Sequence, residues 1–161
     1  MASIIIRIVF VCFLVAGCAT SPGRFSDTAI SLNEDAFSSL IGPLRPQQLL
    51  DGQCGLFLWS RDEGRNLVFF GLSARSEGKM MIAGQEVTLK RISARGEAFF
   101  GQHPNQTYKK GDISVTLSLG MEARPNMAGG AVVSRGSLRF EQTGGWNLVV
   151  PVGGLVACQP A

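Results

Sequence analysis

The sequence predicts an all-β fold: a small antiparallel meander of about eight strands, closed as a barrel or folded as a sandwich, behind a signal peptide and a flexible tether. Three observations carry this. Apolar and aromatic runs of strand length follow one another from Gln53 onward. Several alternate apolar with polar residues, the two-residue period of a strand with one buried face. Between them lie turns of hairpin length, and hairpins in series make a meander barrel or sandwich.

The first element in chain order is a signal segment. Ile8 to Gly17 is apolar throughout and follows a single cation, Arg7. As a helix it would be roughly 15 Å long, about half the hydrocarbon thickness of a bilayer, which suits a signal-peptide core better than a permanent span. The run ends in Val15-Ala16-Gly17-Cys18. This resembles the bacterial lipobox, in which the cysteine thiol takes a diacylglyceryl group and becomes the new N-terminus. The resemblance implies that residues 1–17 are removed, that Cys18 is lipidated, and that the mature chain is anchored to a membrane of the bacterial cell envelope. With Ala19 after the cysteine, it implies the outer membrane, facing the periplasm. An uncleaved signal anchor with a chance cysteine is the alternative.

Residues 18–50 read as a tether, with Ser21-Pro22-Gly23 near its start and Gly42-Pro43-Leu44-Arg45-Pro46 near its end. Within it Leu32, Phe37, Leu40 and Ile41 recur at near-helical spacing behind the candidate caps Ser31 and Asn33. Either a short helix plugging an open end of the following domain or a simple spacer fits this pattern.

Residues 51–161 form the predicted β domain. Cys54 to Ser60 and Asn66 to Leu72 flank the charged turn Arg61-Asp62-Glu63-Gly64-Arg65. Lys79 to Ile82 and Glu86 to Ile92 flank Ala83-Gly84-Gln85, and Ala98 to Gln102 and Gln106 to Lys109 flank His103-Pro104-Asn105. Ile113 to Leu119 alternates strictly, as do Ser137 to Glu141 and, behind Gly144-Gly145, Trp146 to Val152. Gly120 to Gly130, with Pro125, Gly129 and Gly130, reads as a loop, and Pro151 as a point where the last strand breaks or runs along an edge.

Of four cysteines, Cys12 leaves with the signal and Cys18 carries the lipid. Cys54 and Cys158 bracket the patterned region and are expected to pair in an oxidising periplasm. Such a bridge closes a loop of about 100 residues, worth at most about 4.7 kcal/mol in the chain-entropy model. Two free buried thiols are the alternative. These cysteines and the single histidine, His103, are too few for a zinc site.

Lys plus Arg number 15 and Asp plus Glu 12, a net charge of +3 that becomes +2 once Arg7 is removed. This weak charge, without a basic stripe, argues against nucleic acid as a partner. No Gly-x-Ser-x-Gly, His-Glu-x-x-His or Cys-x-x-Cys occurs, and Asp62 and Glu63 are adjacent in a turn, so their carboxylates point apart. The chain is therefore expected to be no enzyme, with no catalytic residues, cofactor or metal. The aromatics Phe57, Trp59, Phe69, Phe70, Phe99, Phe100, Phe140 and Trp146 are assigned to the core.

One stretch narrows the function. Lys79 to Phe99 runs through the turn Ala83-Gly84-Gln85 and the loop Ser93-Ala94-Arg95-Gly96, and is followed by Thr107-Tyr108-Lys109-Lys110-Gly111-Asp112. This order resembles the periplasmic inhibitors of c-type lysozyme, the MliC/PliC family. The resemblance implies a small disulfide-tied barrel whose serine loop and lysine before glycine enter the lysozyme cleft. Ser93 falls at the serine loop and Lys110 at the lysine, with Arg95, Tyr108 and Lys109 beside them as further partner-binding candidates. The other expected class is a structural lipoprotein docking onto an outer-membrane or peptidoglycan assembly.

Overall fold

The structure is a computed structural model that describes residues 39–161, apart from Asn126 and Trp146. The signal segment, Cys18, most of the tether and Trp146 thus lie outside the described residues. Among the described residues there are nine strands: β1 (Ile41–Gly42), β2 (Cys54–Ser60), β3 (Leu67–Leu72), β4 (Glu77–Ile82), β5 (Gln85–Arg95), β6 (Asn105–Lys110), β7 (Ile113–Ala123), β8 (Gly130–Gln142) and β9 (Asn147–Cys158). From β2 to β9 each strand pairs antiparallel with the next, and β9 pairs back onto β2. The meander is therefore a closed eight-stranded barrel with one short extra strand, not a sandwich.

Alternation decides which side chains fill it. Leu56 and Leu58 of β2, Val115 and Leu117 of β7, Leu138 and Phe140 of β8, and Val150, Val152 and Val156 of β9 face inward and belong to one core. Phe69 and Tyr108 meet edge to face in that core, ring centroids 5.1 Å apart. Gly78 makes room for them, since a Cβ there would come within 2.5 Å of the Phe69 ring. The interior is packed with side chains, as expected of a barrel of this strand number.

The closing pair carries the covalent bond. Cys54 and Cys158 face each other across β2 and β9 and form a disulfide, with Cα atoms 4.0 Å apart. Their backbone bonds point away from each other: the Cys54 carbonyl accepts from Ser73 N–H and the Cys158 N–H donates to Gly129. The rim holding this bond also holds the 96–104 loop. At the opposite rim lie the turns at 61–66, 83–84, 111–112 and 143–145.

Several expectations are corrected. Residues 98–102 form no strand; β5 continues to Arg95, and the 96–104 loop has only an isolated bridge between Phe99 and Gln102. Gly120–Gly130 is not all loop, because β7 runs to Ala123 and β8 starts at Gly130; a bulge at Ser134–Arg135 hides the alternation of β8. Pro151 neither breaks β9 nor lies on a free edge. Its carbonyl accepts from Arg61 N–H where β2 turns away, so its missing donor faces the end of that ladder. Finally, the stretch read as tether is part of the barrel from Leu40 on. Ile41 pairs with Ile82, Leu44 N–H bonds to the Leu67 carbonyl, and Leu40, Ile41 and Leu44 are buried. They fill a seam where β3 and β4, paired only from Phe70 and Lys79 onward, splay apart.

Candidate binding surface

The residues matched to the inhibitor pattern do not come together. Ser93 lies opposite Thr107 near the cystine rim, while Lys110 pairs with Ile113 at the turn on the opposite rim. Lys110 lies three residue steps beyond Thr107, roughly 10 Å along β6. Arg95 ends β5 and is exposed, and so are Lys109 and Lys110. Tyr108 is 1% exposed and faces the core, out of reach of a partner.

Tyr108 instead belongs to a polar network beneath the cystine rim. Its hydroxyl donates to Gln106 Oε1 at 2.8 Å, which also accepts from Arg91 Nη1 at 3.0 Å. Gln106 Nε2 donates to Gln102 Oε1 and to the His103 carbonyl, and Gln102 Nε2 donates to the Gly71 carbonyl and Ser73 Oγ. Arg91 also donates to Ser76 Oγ and the Gly101 carbonyl. Among the described residues every buried polar side chain is thus satisfied, and the network fastens the 96–104 loop over the barrel mouth. Burial pushes the Tyr108 phenol up to about 12, against the opposing charge of Arg91. His103 makes a 3.0 Å bond from Nδ1 to the Gly96 carbonyl. Among the described residues no group of three or more His, Cys, Asp or Glu could hold a metal, and no helix is long and apolar enough to cross a membrane.

The outside of the barrel is chemically two-sided. On β6 and β7 the outward residues are Asn105, Thr107 and Lys109 against Ser118, Thr116 and Ser114. On β2 and β9 they are Gly55, Phe57 and Trp59 against Ala157, Leu155 and Gly153, with Pro151 and Val149 continuing along β9. Phe57 stacks on Trp59 with centroids 6.2 Å apart and tilts against Phe70 at 5.0 Å. Phe70 is covered by the incoming chain, whose Leu49 packs over Gly55, but Phe57, Trp59 and Leu155 are only half-buried and Val149 is 48% exposed. The core assignment of Phe57 and Trp59, and of Phe100 at 42% exposure, is corrected accordingly.

This apolar face ends in a recess of about 560 Å³ bounded by Trp59, Arg61, Arg65, Val133 and Gly153. Arg61 lies over Gly153 and donates to the Ser134 carbonyl. Arg65 is held in the left-handed region, φ 43°, by its N–H donating to Asp62 Oδ1 at 3.0 Å. The same Asp62 oxygen accepts from Ser60 Oγ at 2.8 Å. Among the described residues the ion pairs are Lys79–Glu86 and Glu122–Arg124, so neither arginine of the recess has a carboxylate partner. Sequence reasoning missed this surface, although the unbroken apolar run in Cys54–Ser60 signals a strand with two apolar faces.

The molecule is thus a closed barrel with a filled interior and one apolar, arginine-edged outer face. Comparison of the chain with family models, with curated proteins and with solved structures gave no match.

Proposed function

We propose that this protein is a non-enzymatic binding module of the bacterial cell envelope, anchored through a lipid on Cys18 and presenting the outside of its barrel to a partner. The observation that carries this reading is the outer face of β2 and β9. Phe57, Trp59 and Leu155 lie side by side as an apolar surface, with Val149 further along β9, and exposed apolar patches mark interaction sites. The interior, filled by Leu, Val, Phe and Tyr side chains, leaves the outside as the place for a ligand. The lipobox-like Val15-Ala16-Gly17-Cys18 supports an outer-membrane, periplasm-facing location, and the Cys54–Cys158 bond suits an oxidising compartment.

Photo-crosslinking in living cells tests it. A photoreactive residue replacing Phe57 is expected to give adducts in the envelope fraction, and one replacing Thr116 on the polar side is not. Equal labelling from both positions, or none from Phe57, would end this reading.

The exposed Lys109-Lys110 pair on the β6–β7 turn favours a second reading, inhibition of c-type lysozyme. The enzyme's cleft holds two carboxylates, and an inserted ammonium pairs with them. With Ser93 at the other rim, the turn acts alone. The protein is then expected to slow lysis of a peptidoglycan suspension, Lys110→Ala to weaken the effect about tenfold, and Ser93→Ala to leave it unchanged. Undiminished lysis at high micromolar protein would exclude this activity.

A further inference from the structure

We propose that the apolar face of β2 and β9 seats the barrel on an anionic lipid bilayer, with Trp59 at the hydrocarbon boundary and the Arg61 and Arg65 guanidiniums on lipid phosphates. The inference rests on the reading of the chain as a lipid-anchored envelope module, and it names the occupant of the surface described above.

Three observations choose a membrane. The first is chemistry at one level of the molecule. A half-buried tryptophan stands beside two exposed arginines that have no carboxylate partner among the described residues, around a recess of about 560 Å³. Asp62 and Glu63 leave the turn without net charge, but neither carboxylate forms an ion pair with Arg61 or Arg65, and Asp62 Oδ1 accepts from Ser60 Oγ and the Arg65 N–H instead. Guanidinium forks bind phosphate oxygens, and Trp together with snorkelling Arg is the composition of a membrane interface. The second is shape: from that level toward the cystine rim the outward residues are Phe57 and Gly55 of β2 and Leu155 and Ala157 of β9, none of them charged or polar. A rim of phosphate-binding cations continuous with an apolar strip matches headgroup above acyl chain.

The third is where the chain comes from. Ile41 joins the wall beside Ile82, and Leu44 N–H bonds to the Leu67 carbonyl, on the rim that carries the Arg61–Arg65 turn. The 20 residues between Cys18 and Ser39 span at most about 75 Å, so an acylated Cys18 holds the barrel within that distance of the bilayer. The anchor limits distance, and the apolar face sets orientation.

The test uses the full acylated chain in a Trp146→Phe background, leaving Trp59 as the one indole, reconstituted into phosphatidylethanolamine–phosphatidylglycerol vesicles with brominated acyl chains. Trp59 emission is expected to fall at least threefold relative to unbrominated vesicles. Arg61→Glu with Arg65→Glu, and separately Leu155→Glu, are expected to restore it while the chain still floats with the vesicles and keeps its disulfide. Unquenched Trp59 on a chain that floats overturns the docking and leaves the anchored module standing; a chain that does not float overturns both. Quenching that survives both variants, or that is as strong in phosphatidylcholine alone, overturns the role of the arginines and of the face. A stable dimer in detergent in which Trp59 is shielded assigns the surface to a second copy and likewise overturns the proposal.

Discussion

At the scale of single residues, position in the wall decides what a side chain can do. Tyr108 is the single tyrosine, so its ionisation can be followed directly. Its phenol is raised to about 12 from the ordinary value near 10, because burial disfavours the phenolate. The native state therefore holds its proton more tightly than the unfolded chain. The resulting stability is present in full below pH 10 and is lost as pH rises from 10 to 12, about 3 kcal/mol at most. Tyrosinate absorbance is expected near pH 12 in the folded protein and near pH 10 in urea; coincident curves would contradict the burial. Glycines give a second check. A Cβ on Gly154 would sit 1.9 Å from the Phe57 carbonyl oxygen, a backbone atom in a paired strand. Gly154→Ala is expected to cost about 3 kcal/mol, read from the urea midpoint. Gly84→Ala, in open space at φ 76°, should cost only about 1 kcal/mol.

At the scale of elements, what could be read from the chain depended on whether a strand had one wet face. Ile113–Leu119 alternates because its outer side meets water, and it was placed within a few residues. Cys54–Ser60 and the end of β9 are apolar on both sides, so their position was legible but their orientation was not, and Phe57 and Trp59 were assigned inward. The seam-filling strand β1 was illegible for another reason. Ile41 closes a run at near-helical spacing and Gly42 precedes a proline, so nothing local marks a strand, and only the splay of β3 from β4 gives the two residues a partner. Its weight is testable. Ile41→Asp, at a site 2% exposed, should cost about 3 kcal/mol or more in thermal or urea unfolding, whereas Leu50→Asp, at 67% exposed, should be near neutral.

At the scale of the whole molecule, the order of strands follows from hairpins alone, and closure follows from the ladder between β2 and β9, which the Cys54–Cys158 bond cross-links over a separation of 104 residues. The cysteine count foresaw that pair, but the partner-binding residues suggested by resemblance were scattered to two rims, because Ser93 and Lys110 lie at opposite ends of neighbouring strands. Replacing both cysteines with alanine is expected to lower stability by about 2–4 kcal/mol without opening the barrel, measured by urea unfolding of the oxidised protein and the variant. The cross-link also makes residues 54–158 a covalent hoop. A protease that nicks one hairpin, at Lys110 for example, severs the polymer but frees no fragment. The two pieces remain one particle until a reductant arrives, so a damaged copy keeps its whole wall and everything bound along it.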